Sequence, residues 1–281
     1  MSNFNFIKNG DWGTFLNVSS ENLTETVAYI KQKDIRNFEL NDCNGYELSD
    51  ISFLNEIAES VEGLIVIGKN ISLKGIENYH NLKMLNITDE HSLPVNFTNF
   101  KKLERCSILW HNNISNLSAC KMLRELNIKK LKLSGAGKNI LYETNNIHRL
   151  TLIQSKLDNL DFIKTYMNIR SLELYYMPKI RDIDTISYCS KTLEKLVLDN
   201  CRNIQDYDSI KSLKKIEYLM LNNNKEIESL AFIKDLQNLK HLSFVGTNVL
   251  DGNISICKAI NYVGFNNKRH YSHKFEEINE Y

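Results

Sequence analysis

Residues 193–201 read LEKLVLDNC, and nearly the same pattern returns twice at a spacing of 23 residues, as IEYLMLNNN at 216–224 and LKHLSFVGT at 239–247. Each copy contains L-x-x-L-x-L, in which the last two apolar residues point to one side of an extended strand. A single strand cannot bury that side alone, whereas copies stacked in parallel form a continuous core. The three stretches therefore predict a repeat protein.

The same pattern covers most of the chain when Ile, Val, Phe or Cys may replace Leu. Eleven copies follow one another with a mean period of about 22 residues. They begin at Ile35, Val61, Leu82, Leu103, Leu123, Ile147, Ile169, Leu193, Ile216, Leu239 and Ile260. In the second half of a repeat, apolar residues recur about three positions apart, which indicates a 3₁₀ or short helical turn.

Over residues 35–266 this pattern resembles that of bacterial leucine-rich-repeat proteins of the short-repeat, internalin-like class. The resemblance implies a right-handed α/β solenoid with capped ends. Its concave side would be a parallel β-sheet of about eleven strands, and its convex side would carry the 3₁₀ or short helical turns.

The resemblance also implies a small or polar residue at the corner that lies three positions after each strand motif. Residues that meet this expectation are Cys43, Ser155, Cys201, Asn224 and Thr247. Residues that do not meet it are Lys69, Glu90, His111, Leu131 and Met177. We therefore expect the hydrogen-bonded ladder at this corner to be interrupted.

Both ends of a stacked-repeat protein need a cap, because a bare end exposes core and strand edge. Residues 1–34 are predicted to be the N-terminal cap, with a strand in TFLNVSS (14–20) and a helix in SSENLTETVAYIKQKD (19–34). Residues 35–266 form the repeats, and residues 267–281 form a polar C-terminal tail or cap.

Composition excludes several classes of protein. The 281 residues carry a net charge of +1, so no global charge draws the chain to nucleic acid or to an anionic membrane. No run approaches about 20 apolar residues, which a membrane-spanning helix needs. The N-terminus lacks the pattern of a secretory signal. These features predict a cytoplasmic, monomeric protein that folds as one continuous unit.

The sequence contains no recognisable catalytic or metal-binding motif. The six cysteines contain no C-x-x-C pair and are interpreted as reduced thiols in the core. His270 and His273 form a close histidine pair without the context of a zinc site, so a polar surface tail or a basic aromatic patch in KRHYSHK (268–274) is the favoured interpretation over zinc. We predict no catalytic residue, no metal and no cofactor.

Aromatic and basic residues gather on and beside the predicted concave face. The predicted partner-binding residues are Trp110, His111, Lys129, Lys130, Arg149, Tyr175, Tyr176 and Tyr218. Trp, Tyr and Arg carry much of the energy in protein interfaces, and an exposed aromatic patch adds little to folding. The alternative is that these aromatics pack on neighbouring side chains or cover irregular corners.

The predicted function is that of a non-enzymatic scaffold that binds a partner protein on the concave face. An immunity or inhibitor protein that masks a toxin or an enzyme is the alternative. A nucleic-acid binder is disfavoured, because Glu39, Glu125, Glu173 and Asp199 interrupt any positive track on that face. An enzyme of unrecognised type would need clustered acids or histidines, which only coordinates can show.

Overall fold

The computed structural model describes residues 4–87, 89, 94–132, 139–144 and 146–279. Glu90 of the predicted corner, the first three residues of the predicted cap and the last two of the tail lie outside this range. The chain divides into two compact units. The first unit is Met1–Asn127 with Ser134–Thr144, and the second is Ile128–Leu133 with Asn145–Tyr281.

The described residues contain fifteen strands and three α-helices. The strands are Asn5–Lys8 (β1), Thr14–Asn17 (β2), Asn37–Asn41 (β3), Gly63–Ile67 (β4), Met84–Ile87 (β5), Val95–Asn96 (β6), Arg105–Leu109 (β7), Ile114–Ser115 (β8), Glu125–Lys129 (β9), Arg149–Ile153 (β10), Ser171–Tyr175 (β11), Lys195–Asp199 (β12), Tyr218–Met220 (β13), His241–Ser243 (β14) and Tyr262–Gly264 (β15). The helices are Leu23–Lys33 (α1), Ile140–Glu143 (α2) and Phe275–Ile278 (α3).

All eleven predicted repeats have their strand at the predicted motif. Within the described residues the main sheet has 13 strands, because β1 and β2 join the eleven repeat strands. The predicted class of fold, a long parallel sheet with short 3₁₀ turns on its other side, is confirmed, and the predicted count of about eleven strands misses the two that precede the repeats. The short strands β6 and β8 pair separately, outside the main sheet.

In the first unit, β1 pairs antiparallel with β2, and β2 continues in parallel through β3, β4, β5 and β7. The predicted strand in 14–20 is β2, and the predicted helix in 19–34 is α1, whereas β1 was not predicted. Helix α1 buries Ile30 and ends at Lys33. The left-handed backbone of the next residue, Asp34 (φ 51°), turns the chain so that the Ile35 N–H donates to the Ile30 carbonyl at 3.1 Å. Lys31 and Lys33 in its last turn suit the negative end of the helix dipole.

In the second unit, the inward leucines lie in register from strand to strand. One such row has no solvent exposure and consists of Leu150, Leu172, Leu196, Leu219, Leu242 and Val263. The 3₁₀ segments Asp161–Thr165, Asp184–Cys189, Asp208–Ser212 and Ala231–Asp235 cover the other side of this core. Leu196 pairs with Leu219, as the alignment of the motifs at Leu193 and Ile216 predicts, and this pairing fixes the register of buried and exposed positions.

A left-handed residue follows the strand in six consecutive repeats. These residues are Lys130, Gln154, Tyr176, Asn200, Asn223 and Gly246. The turn that they make directs the next residue inward, so the corner residues Leu131, Ser155, Met177, Cys201, Asn224 and Thr247 are all buried. The corner ladder is polar in the last repeats and is replaced by apolar packing at Leu131 and Met177, as the interrupted pattern predicts.

The C-terminal residues close the last strand. The Asn279 side chain accepts from Val263 N at 2.8 Å and donates to the Val263 carbonyl at 2.9 Å, as a further strand would. Tyr271 Oη accepts from Val249 N at 3.0 Å, and a His270 ring nitrogen lies 2.9 Å from the Val249 carbonyl. Part of the KRHYSHK segment therefore contacts the backbone of Val249, in the tenth repeat.

Candidate protein-interaction surface

Three aromatic rings form a row on the solvent-facing side of the sheet in the second unit. Tyr218, His241 and Tyr262 occupy the same register position of β13, β14 and β15. The ring centroids are 4.3 Å apart between Tyr218 and His241 and 4.7 Å apart between His241 and Tyr262, and both pairs are stacked. We call these three residues the aromatic row. Tyr262 is 37% exposed, and the other two are half-buried.

A network of charged and polar side chains continues from the row toward β11. The Lys195 ammonium lies 5.2 Å from the centre of the Tyr218 ring and 2.7 Å from Glu173 Oε1. The Tyr175 hydroxyl donates to Glu173 Oε2 at 2.8 Å, and the Ser171 hydroxyl donates to Oε1 at 3.2 Å. The aromatic row and this network therefore form one connected surface within the second unit.

This network determines the charge state of its members. Burial opposes ionisation of Glu173, but the hydrogen bonds from Lys195 and Tyr175 outweigh it and lower the pKa of Glu173. Burial and the bond to Glu173 raise the pKa of Tyr175. Burial lowers the pKa of His241, which favours the neutral imidazole. Near pH 7 these shifts favour an ionised Glu173, a neutral Tyr175 and a neutral His241.

The predicted site residues of the second unit have different environments. Tyr175 and Tyr218 are half-buried and belong to the connected surface, as described above. Tyr176 is 53% exposed, because its left-handed backbone (φ 54°) turns its side chain out. Lys129, Lys130 and Arg149 are exposed on or beside β9 and β10. Only Tyr175 and Tyr218 are therefore brought together by the described contacts.

Trp110 and His111 belong to the first unit, and the expected exposure of Trp110 is wrong. Only 6% of Trp110 is exposed, and its indole nitrogen is buried without a hydrogen-bond partner among the described residues. Trp110 lacks the left-handed φ that turns Lys130 and Tyr176 outward at the equivalent position. Its neighbour Leu109 is also buried, so the inside–outside alternation ends with β7. His111 is half-buried.

The solvent-facing side of the sheet in the first unit is partly covered by the segment between β1 and β2. Arg105 Nη1 on β7 donates to the Asp11 carbonyl at 2.5 Å, and its guanidinium lies 5.8 Å from the centre of the Trp12 ring. Asn9 Nδ2 donates to Glu39 Oε2 on β3 at 2.9 Å. Asn9, Asp11 and Trp12 therefore contact side chains of the sheet that the repeat pattern alone predicts to be open to a partner.

Sequence reasoning did not select His241 and Tyr262 as site residues. Their signal was available, because Tyr218, His241 and Tyr262 occupy the third motif position of three consecutive repeats. Aromatic side chains at one position of successive parallel strands become neighbours at about 4.8 Å. The hydrophobic pattern alone did not reveal that the three rings stack.

The described residues do not form the metal site that the histidine pair could have suggested. They contain no group of three or more His, Cys, Asp or Glu residues arranged to hold a metal. His270 and His273 contact different groups, the Val249 carbonyl and the Ser272 hydroxyl. Among the helices that the structure describes, none has the length and apolar character needed to cross a bilayer.

Comparison with known proteins identifies the fold but not a close relative. No protein-family model matches the chain, and no curated protein matches it. An internalin of Listeria monocytogenes, InlF, superposes with a TM-score of 0.64 at 21% identity, over 82% of this chain and 66% of that one. The functional domain of InlJ from the same organism, which includes a cysteine ladder, gives 0.56 at 13% identity, over 82% and 46%.

Internalin C2, also from Listeria monocytogenes, gives a TM-score of 0.52 at 18% identity, over 67% of this chain and 82% of that one. The chain spans less than two thirds of the length of the first two structures. The superpositions agree with eleven parallel repeat strands and 3₁₀ segments on their other side. The chain therefore has the fold of an internalin-like leucine-rich-repeat protein.

Proposed function

We propose that the chain is a non-enzymatic scaffold that binds a partner protein on the solvent-facing side of its sheet. The observation that carries this proposal is the aromatic row of Tyr218, His241 and Tyr262. These rings stand on the face opposite the leucine core, so burial in the core does not account for them. Tyrosines with an apolar body and a polar tip are frequent anchors of protein interfaces.

The predicted residues of the second unit fit around this row. Tyr175 lies on the connected surface, and Tyr176 adds an exposed ring at the end of β11. The exposed Lys129, Lys130 and Arg149 act at the rim, where charges mainly set the rate of association. Trp110 is removed from the proposed site because its side chain is buried.

A site-specific photo-crosslinker tests the proposal. Benzoylphenylalanine is introduced in place of Tyr262, and in a control in place of Tyr188, which is 69% exposed in a 3₁₀ segment away from the sheet. After irradiation in a lysate of the source organism, we expect position 262 to capture proteins that position 188 does not. Identical products at both positions, or none at 262, would contradict a partner site on this face.

A further inference from the structure

A pocket of about 180 Å³ lies beside the amino ends of β10 to β13, in the second unit. Each of its lining residues either directly precedes one of these strands or belongs to the turn that leads into it. All have polar or charged side chains, and they are His148, Asn168, Arg170, Lys191, Thr192, Glu194 and Lys215. Parallel strands in register bring such equivalent positions together, so the pocket joins successive repeats.

The cations of this pocket are only partly neutralised. Arg170, Lys191 and Lys215 each carry a positive charge, and Glu194 carries the opposing negative charge. Arg170 Nη1 lies 3.5 Å from Glu194 Oε1, which is longer than an ordinary hydrogen bond. Within the described part of the chain, neither the Lys191 nor the Lys215 ammonium forms an ion pair or a hydrogen bond. Three positive charges against one negative charge leave an excess of two in the lining.

The other charges at this end of the strands preserve the excess. Four turns lead into β11 to β14, and they are residues 165–170, 189–194, 212–217 and 235–240. Together these turns contain five bases and three acids, which again leaves a net charge of +2. Outside the pocket lining, Glu217 lies 2.8 Å from Lys240, and Asp235 lies 3.5 Å from Lys214. These two acids therefore have lysines of their own and leave those of the pocket unpaired.

The equivalent positions of the first unit have a balanced arrangement. There, Glu62 lies 2.7 Å from both Arg36 and Lys83, and Asp34 lies 2.9 Å from Arg36. Two bases thus pair with two acids. Unpaired cations that lie close together repel one another and oppose the compact state. The excess of charge in the pocket is therefore not accounted for by folding.

We infer that the pocket binds a phosphate group, either as the free ion or at the end of a small monoester. A phosphate group carries about −1.5 to −2 charges at pH 7, which matches the excess of positive charge. The Arg170 guanidinium suits this ligand because its fork of N–H donors bonds to two oxygens at once, while the lysines act as point charges. The aromatic row lies on another side of the sheet, so binding of phosphate goes beyond the proposed function and does not depend on it.

The size of the pocket and its uncharged donors fit the same ligand. A volume of about 180 Å³ equals that of about six water molecules at about 30 Å³ each, which holds a phosphate group with a few waters. Asn168 Nδ2 and Thr192 Oγ1 form no hydrogen bond with another described residue, so both are available to phosphate oxygens. The seven lining residues are exposed or half-buried, so the ligand reaches them from solvent.

NMR titration of the isotopically labelled chain with sodium phosphate provides the test. Sodium chloride at equal ionic strength is the reference, and glycerol phosphate distinguishes a monoester from the free ion. Lys191→Gln and Lys215→Gln each remove one positive charge from the pocket. Lys225→Gln removes one from an exposed residue that follows β13, at the opposite end of the strand, and serves as the matched control.

We expect phosphate, but not chloride, to shift the amide resonances of residues 168–170, 191–194 and 215. Lys191→Gln and Lys215→Gln should each weaken phosphate binding by about 5-fold or more, and Lys225→Gln should leave it within about 2-fold. Glu194→Gln should tighten binding by about 3-fold or more, because it removes the opposing charge. Unchanged melting temperatures without phosphate show that all variants are folded.

Three results overturn the inference: equal shifts with phosphate and chloride, shifts spread over exposed lysines throughout the chain, or equal losses of affinity in Lys215→Gln and Lys225→Gln. Tighter binding of a short oligonucleotide than of phosphate or glycerol phosphate also overturns it, in favour of a nucleic-acid surface. Equal affinity for glycerol phosphate and phosphate supports a pocket that accepts the end of a monoester. Binding of phosphate alone supports a site for the free ion.

Discussion

The side chain of Asn224 accepts a hydrogen bond from the backbone N–H of Cys201, 23 residues earlier, at 2.7 Å. The same side chain donates to the Leu198 carbonyl at 2.7 Å, and Asn224 N donates to Thr247 Oγ1 at 3.0 Å. Three repeats are thus joined at one buried corner. An inward amide replaces the partners that the backbone loses where the strand ends.

Replacing Asn224 with Ala should destabilise the second unit by about 2–4 kcal/mol, because it leaves the Cys201 N–H and the Leu198 carbonyl buried without partners. The measurement is urea unfolding, together with hydrogen exchange at residues 198–201. Asn203→Ala is the control, since it removes the exposed bond from Asn203 Nδ2 to the Pro178 carbonyl. An equal loss of unfolding free energy in the two variants would show that the buried corner bonds stabilise the chain no more than an exposed bond does.

Trp110 should behave as a core residue. Trp110→Ala should cost about 3–5 kcal/mol in unfolding free energy, whereas Trp110→Phe should cost much less, because it keeps an aromatic ring and removes an unpaired N–H. Fluorescence gives an independent measurement. In a Trp12→Phe chain the remaining emission should resist acrylamide quenching, and strong quenching would show that Trp110 is exposed.

Tyr176→Asn should stabilise the chain by about 0.5–1 kcal/mol, because Asn tolerates the left-handed backbone better than Tyr does. Because the Tyr176 ring is exposed, its removal costs little packing energy. Tyr188→Asn is the matched control, since Tyr188 is exposed but is not among the residues with positive φ. Thermal unfolding compares the two, and a lower melting temperature for Tyr176→Asn would show that the ring packs in solution.

Cysteine reactivity should separate Cys43 from the other five thiols. Cys43 is exposed, which corrects the expectation that every cysteine lies in the core. A hydrogen bond with Asp42 raises the pKa of its thiol, so alkylation by iodoacetamide should be slow at pH 7 and faster toward pH 9. Burial raises the pKa of Cys189, Cys201 and Cys257 to about 12, and these thiols should react only in urea.

The same buried thiols predict the direction of alkaline unfolding. Their pKa is higher in the folded chain than in the unfolded one, so the unfolded chain loses protons first as the pH rises above about 9. Stability should therefore be unaffected by these groups below pH 9 and should fall between pH 9 and pH 12. Circular dichroism across this range, in reducing buffer, measures the effect. A constant stability up to pH 12 would contradict the burial of these thiols.

Much of the candidate surface can be read from the repeat pattern. Aligning the motifs places Tyr218 next to His241 and Tyr262 before any coordinates are known, because parallel strands in register bring equivalent positions together. The alignment also places Asp199 beside Tyr175. It does not show that Lys195 pairs with Glu173 while Asp199 accepts hydrogen bonds from the side chains of Asn200 and Asn223, since that outcome depends on side-chain rotamers.

The amino-acid sequence by itself determined the repeat, its eleven strands and the inward position of residues such as Leu196 and Leu219. These features follow from the alternation and spacing of apolar residues over short stretches, because that pattern decides which side chains of a strand are buried. Only the tertiary structure decided that Trp110 is buried and that Asp11 and Trp12 contact Arg105. The first depends on the backbone angle of one turn, and the second joins segments 94 residues apart, which no local pattern encodes.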